Sequence, residues 1–435
     1  MPRLGSQHQS TTLSGPDLLL NPGGPGESGL QWLPQVVSSF PAALRQRFNL
    51  VTWDPRGVGA STPAVDCLSP SALRVYIDSD PVPRTAAQVT AFQSVVAAFD
   101  RACARHTPSL LLGNMSTEAT AFDLDRLRQA LGQAKLDYLG FSYGTYIGYV
   151  YALAFPGHVR AMVLDGAVDP SLGVEQSALS QARSLEVDLH DFFRWCPTSS
   201  TCHSLLPHGA ARAFATLTAR LEHGASLTAN LIPSVGGMQR IHYGDALTGL
   251  VAPLYSRLEW RYLAQAIEEG LRGDGTLLAE LAFQYNGVNA NGTIENVDAA
   301  NAATICADHP TSYSISQLRS LAQAWARRAP DFGPVEAYGL YGCTLWPVHS
   351  APRLVVAHGV RLPPVVVVGS THDPVTPYQW AVALARLLPH SVLLTRVGEG
   401  HTGYFFSSCV QRQVDSYLTT LKPPAAHTVC PSNAG

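Results

Sequence analysis

Four consecutive valines, Val365 to Val368, stand between Pro364 and Gly369 with no alternation of apolar and polar residues. A strand with one wet face would alternate, so this run suits the middle of a parallel sheet covered on both sides. Parallel strands need crossover connections, usually helices, and the first 170 residues carry that rhythm. Leu18 to Leu20 form a short apolar strand halted at Asn21-Pro22, and Phe48 to Trp53 form a second that ends at Asp54-Pro55-Arg56-Gly57. A helix is predicted from Thr117, with Leu124, Leu127 and Leu131 on one face and Gly132 as its stop. Asp137 to Phe141 read as a strand, Tyr143 to Ala154 as a helix and Ala161 to Leu164 as a further strand. From about Pro170 to Ser350 the strand signal fades into helical, alanine-rich sequence carrying Trp195, Trp260, Trp325 and Trp346. The parallel pattern then returns at Pro364 and again at Ser391 to Val397. The expected architecture is an α/β fold, a mostly parallel sheet flanked by helices. It divides into a first core part at 1–170, an inserted, mainly helical cap at 171–350 and a second core part at 351–435.

Composition narrows the function classes. With 46% apolar and only 14% charged residues, the chain must bury a large core. Its 29 basic and 32 acidic residues leave a net charge of −3 with no block of like charge, so neither nucleic acid nor a membrane surface is expected as a partner. No run approaches the roughly 20 apolar residues of a bilayer span. Cysteine falls at 67, 103, 196, 202, 306, 343, 409 and 430, an even number that points to an oxidising compartment. None forms a Cys-x-x-Cys pair, so a zinc site is not expected. Pairing sequence neighbours, Cys67 with Cys103, Cys196 with Cys202, Cys306 with Cys343 and Cys409 with Cys430, keeps each bridge inside one segment. The first 16 residues are polar and lack the basic start and apolar run of a secretory signal. Set against the cysteines, this leads to the expectation that the sequence begins downstream of the true start.

The chemistry is carried by three motifs. Gly140-Phe141-Ser142-Tyr143-Gly144 lies between a strand and a helix, the setting of a nucleophile elbow, where small residues flank a serine on a tight, strained turn. Serine is a weak nucleophile at neutral pH and needs a base, itself oriented by an acid. His401, in Gly398-Glu399-Gly400-His401-Thr402-Gly403 just past the last strand, is the expected base. Asp373, directly after the valine strand in Asp373-Pro374-Val375-Thr376-Pro377, is the expected acid, with N-capping of the next helix as its ordinary alternative. Asp165 and Asp169 are rivals for the acid role, and His372 is expected to be structural. Asn21-Pro22-Gly23-Gly24-Pro25-Gly26 follows the first strand, and its glycines suit an oxyanion hole, with the N–H groups of Gly24 and Tyr143 as donors. The loop lacks both the Lys-Ser/Thr ending of a P-loop and the spacing of a dinucleotide fingerprint, so no cofactor is expected.

Taken together, the loop Asn21 to Gly26, the segment Trp53 to Ser61, the elbow Leu139 to Gly144, Val163 to Gly166, Asp373 to Pro377 and Gly400-His401 closely resemble the secreted tripeptidyl aminopeptidases of actinobacteria and related fungal enzymes. These stand with the prolyl aminopeptidases among serine exopeptidases of the α/β-hydrolase fold. The resemblance implies the triad Ser142, Asp373 and His401, peptide substrates with a free N-terminus, a helical cap limiting access, and a secreted or cell-envelope location. It also implies an antiparallel strand pair before the oxyanion loop, for which only about 17 residues are present here. An aminopeptidase must pair the substrate's ammonium with carboxylates, and Glu295 and Asp308, flanking Cys306, are the candidates. Two other readings stay open: a carboxylic-ester hydrolase, since the same machinery cleaves esters, and a non-catalytic binding protein of this fold.

Overall fold

The computed structural model describes residues 3–4, 15–235, 237–289, 291–348, 356–358 and 361–431. Ten strands occur among them: β1 (Arg3–Leu4), β2 (Asp17–Asn21), β3 (Asn49–Thr52), β4 (Leu136–Phe141), β5 (Val159–Asp165), β6 (Leu227–Asn230), β7 (Met238–Ile241), β8 (Val365–His372), β9 (Val392–Glu399) and β10 (Val429–Cys430). Eight form one sheet in the order β1-β3-β2-β4-β5-β8-β9-β10, while β6 and β7 pair only with each other. All neighbours from β3 to β10 run parallel, and β1 pairs antiparallel with β3 at the edge.

The valine run forms the centre of this sheet. Val365 to Val368 are each 0% exposed, which matches a strand covered on both faces. Successive residues supply opposite cores. Val365 and Val367 join Leu19, Tyr138 and Leu164 beneath the helices Thr117–Ala130, Gly144–Ala154 and Tyr378–Leu387. Val366 and Val368 join Leu18, Leu20, Leu139 and Val163 beneath the helices Ala42–Arg47 and Ser408–Thr420. Gly132, at φ 70°, ends the run of helix 117–130 as its sequence position implies.

Between β5 and β8 the regular structure of the described residues is helical apart from the β6–β7 hairpin, and this segment has a core of its own. Phe192, Trp260, Leu263 and Phe214 are buried together there, with the Trp195 and Trp260 rings 5.5 Å apart. Trp325 and Trp346 pack elsewhere. They meet residues of the long excursion between β3 and β4, where the helix Ala86–His106 applies Val96 to Trp325 and Tyr338, and Phe99 and Cys103 to Cys343 and Trp346. That helix thus packs with the inserted segment, while the helix Thr117–Ala130 of the same excursion covers the sheet, and no periodicity in either stretch announces the first partnership. The boundary expected at 350/351 lies outside the described residues. All eight cysteines are bridged in the expected neighbour pairs.

Candidate active site

β4 ends at Phe141 and a helix begins at Gly144, which leaves Ser142 with φ 52°. A non-glycine residue in that region costs about 1–3 kcal/mol unless its surroundings hold it there. The Ser142 N–H donates to the Asp165 carbonyl at 2.8 Å, and the Ser142 carbonyl accepts from the Thr145 N–H and hydroxyl at 2.9 and 2.6 Å. The flanking glycines allow the turn: a Cβ on Gly140 would stand 2.5 Å from the Gly144 carbonyl oxygen, and one on Gly144 would stand 2.7 Å from Asn21 Oδ1.

The glycine loop after β2 lies against this turn. Asn21 Oδ1 accepts the Gly23 N–H at 3.1 Å, and a Cβ on Gly23 would meet Ser142 Cβ at 2.9 Å and the Tyr143 nitrogen at 3.1 Å. Only a residue without a side chain permits that approach. Among the described residues, neither the Gly24 nor the Tyr143 N–H has a hydrogen-bond acceptor. The helix Val297–Asp308 steadies the loop from the other side, with Asn301 Nδ2 donating to the Pro25 carbonyl at 3.0 Å.

His401 and Asp373 meet across the loops that follow β9 and β8. His401 Nδ1 lies 2.9 and 3.1 Å from the two carboxylate oxygens of Asp373, which leaves Nε2 free. Asp373 also accepts N–H bonds from Val375 at 3.0 Å, Thr376 at 2.8 Å and Thr402 at 3.0 Å. Turn-making and orientation of the histidine are therefore combined in one side chain. Burial raises the Asp373 pKa, but the charge and hydrogen bond of His401 and the two N–H donors Thr376 and Thr402 hold it below the usual carboxylate range. For His401, burial disfavours the charged ring; Asp373 overrides it by charge and hydrogen bond, with Asp165 and Glu27 adding to it, so the pKa stands above the ordinary histidine value. Gly166 lies beside both the imidazole and the strand end that holds the elbow. A Cβ on that residue would stand 3.2 Å from His401 Cε1, and Gly166 directly follows the Asp165 whose carbonyl holds Ser142.

The rival acids are engaged otherwise. Asp165 accepts the N–H groups of Gly403 and Tyr404, each at 2.8 Å, and Asp169 accepts the N–H and hydroxyl of Ser171. His372 pairs with Asp191 of the helix Val174–Trp195. Of the two ammonium candidates, Asp308 lies at the N-terminus of the helix Thr117–Ala130. One of its carboxylate oxygens accepts the Thr117 N–H at 2.8 Å and the other accepts the Thr117 hydroxyl, which itself contacts the Tyr143 phenol. Both oxygens are thus committed to the fold. Glu295 stands elsewhere, beside Asn289, with the Gln31 amide turned to donate to it. It has a neighbour that sequence reasoning did not single out. Glu27 follows the glycine loop directly, and its pKa is pushed up to about 7 by burial and by Glu295, against the pull of His401. The available signal was its place in Gly26-Glu27-Ser28, since the partner lies far away in sequence.

A family model described as alpha/beta hydrolase fold matches residues 16–205, and one described as TAP-like protein matches residues 329–430. The chain is 35% identical to serine protease Hip1 of Mycobacterium tuberculosis, over 95% of this chain and 80% of that protein. It is 32% identical to the tripeptidyl aminopeptidase of Streptomyces lividans, over 96% and 77% of the two chains. It is 34% identical to carboxylesterase B of Mycobacterium tuberculosis, over 95% and 80%. With relatives aligned along nearly its whole length and a sheet of the matching kind, the chain belongs to the tripeptidyl-aminopeptidase-like family of α/β-hydrolase serine hydrolases.

Proposed function

We propose that this chain is a serine exopeptidase that hydrolyses peptide bonds near a free N-terminus through an acyl-enzyme on Ser142. The observation that carries the reading is the pairing of Asp373 with His401 Nδ1, because it orients the ring and leaves Nε2 to take the Ser142 proton. Ser142 Oγ attacks the scissile carbonyl, and the alkoxide that develops accepts hydrogen bonds from the Gly24 and Tyr143 N–H groups, which have no other acceptor among the described residues. Protonated His401, stabilised by Asp373, returns the proton to the leaving amine, and a water activated by the same ring releases the acyl group. Glu27 and Glu295 receive the substrate's ammonium, a reading supported by the mutual electrostatic influence of Glu27 and His401 and by that of Glu295 on Glu27. Residues 171–350 serve as a cap, joined by the excursion before β4, and restrict entry to short or unfolded chain ends.

A secreted or cell-envelope location accords with the four disulfides. A second reading, carboxylic-ester hydrolysis, draws support from the relative named carboxylesterase B. Aminoacyl and tripeptidyl p-nitroanilides with free and acetylated N-termini, run beside acyl esters, separate the two. The free peptides are expected to turn over and the acetylated ones to fail. Equal rates with and without acetylation, or ester cleavage without amide cleavage, would reject the exopeptidase. Fluorophosphonate labelling that vanishes in Ser142→Ala checks the nucleophile independently of substrate.

A further inference from the structure

The loop that presents His401 is built from backbone that holds no shape by itself. Gly398, near the end of β9, has φ 137°, Gly400 and Thr402 in the loop have φ 105° and 70°, and the His401 N–H reaches outside the loop to the Tyr255 carbonyl at 2.8 Å. One side chain passes beneath all of it. Arg396, within β9 and only 4% exposed, donates from Nη2 to the Glu399 carbonyl at 2.9 Å. Its Nη1 donates to the Gly400 and Thr402 carbonyls, each at 3.3 Å, and to Ser370 Oγ at 3.1 Å. The three carbonyls bracket His401 on both sides, and Ser370 Oγ itself donates to the Thr402 carbonyl at 2.7 Å. The ring of Phe406 closes the far face, 5.4 Å from the guanidinium carbon.

Burying a charge is costly unless it is paired, yet among the described residues no carboxylate lies within ion-pair distance of this one. Its partners are carbonyl dipoles, and a planar fork with several fixed donors suits that task in a way a single ammonium does not. β9 pairs with β8 and β10 through its backbone, and among the described residues the guanidinium hydrogen-bonds only the loop and Ser370 and lies over Phe406, while Asp165, Asp373, Glu399 and Asp188 favour its charge from farther away.

We propose that Arg396 is the positioning residue of His401, fixing the main chain before and after the histidine and thereby the stance of the imidazole over Ser142 and against Asp373. The proposal rests on Ser142 and His401 being the reacting pair. Its test compares Arg396→Met and Arg396→Lys with the parent enzyme in fluorophosphonate labelling rate, in kcat and KM on a tripeptidyl p-nitroanilide, in the pH profile of kcat/KM and in Tm. Displacement of a reacting group by about 1 Å costs on the order of 100-fold, so kcat and labelling should fall about 100-fold in Arg396→Met, with KM unchanged. Lysine restores the charge but binds fewer carbonyls at once, so Arg396→Lys should lose roughly 10-fold. In both, the acidic limb of kcat/KM should move to lower pH, because an imidazole that drifts from Asp373 loses the neighbour that raises its pKa. A loss of general stability leaves that limb in place. Folded Arg396→Met with the parent's kcat and acidic limb overturns the proposal, and if that variant does not fold, Arg396→Lys decides by the same two readouts. Labelling that persists in Ser142→Ala, or full activity in His401→Ala, would fail the reacting pair instead.

Discussion

The acids at the carboxyl end of the sheet and those in the segments packed above it are the same residue types in opposite states. Next to His401, Asp373 and Asp165 are 1% and 0% exposed, yet both oxygens of each accept hydrogen bonds from backbone N–H groups or from the imidazole. In the inserted segment and the excursion before β4, Asp188 and Asp100 are equally buried, and among the described residues neither oxygen of either has a hydrogen-bond partner. The consequence is electrostatic. Asp373 is held in its charged form and Asp165, its two N–H donors set against its burial, is raised only to about 6, whereas burial pushes Asp188 up to about 9 and Asp100 up to about 7. A site that must orient a cation at the moment of reaction is built from charge already paid for in hydrogen bonds. In the segments over it, Asp188 stays neutral at pH 7, and its contribution depends on a proton.

The sharpest break of that contrast is Asp373→Asn. It keeps the shape but removes the charge that holds the Nδ1 proton, and kcat on a tripeptidyl p-nitroanilide should fall by about 10⁴-fold. A loss under 10-fold would mean that another acid, Asp165 foremost, orients the ring.

Next in size is the disulfide Cys306–Cys343, which spans 37 residues and anchors the helix that carries Asn301 to the oxyanion loop. Opening it with paired serines should cost about 4 kcal/mol in denaturant unfolding and lower kcat as well. The bridge Cys196–Cys202, six residues apart and remote from the loop, should cost about 2 kcal/mol and leave kcat alone. Equal kcat losses from the two would erase the distinction between an anchoring helix and an ordinary one.

Glu27→Gln sharpens the comparison at the boundary between the regions. Loss of one hydrogen bond to a charged group is worth about 1.5–3 kcal/mol, so KM for a free N-terminus should rise roughly 10- to 100-fold. Residual cleavage of an acetylated substrate should be unaffected. Because Glu27 titrates at about 7, the parent's KM should climb as pH falls through that value, and the variant's should stay flat. A variant KM that still climbs would put the titrating group elsewhere.

Legibility in the sequence followed the range of the interactions. The valine strand, Leu18 to Leu20 and the turn around Ser142 were readable because their causes are local: covered faces impose apolar runs, and a tight turn imposes Gly140 and Gly144. Asp308 illustrates the opposite case. An acid was expected to face the substrate there, and what the sequence did not show is that Thr117, 191 positions away, bonds both of its oxygens. Glu27 and Arg396 were passed over for a like reason, since what matters about each is a partner set assembled by the fold. The packing of helix 86–106 on Trp325 and Trp346 left no trace in the periodicity of either stretch.

One further substitution tests the neutral half of the contrast directly. Asp188 has a folded pKa of about 9, raised chiefly by burial and further by Asp373 and Glu399 against the pull of Arg396, while its unfolded value is near 3.8. Between these values the folded chain keeps a proton that the unfolded chain releases. The group's contribution to stability is therefore full below about pH 4 and declines as pH rises toward 9, by at most about 1.4 kcal/mol per pH unit. Asp373, with its lowered pKa, has the opposite slope: its contribution is present above the ordinary carboxylate value and is lost in acid. Asp188→Asn supplies a neutral group of the same shape that needs no proton. Its Tm should fall less than the parent's between about pH 5 and about pH 9, and the two curves should converge toward the acid end. If the variant's Tm declines as steeply as the parent's, the buried carboxyl is ionised in the folded enzyme, and the cap is held by charges rather than by protons.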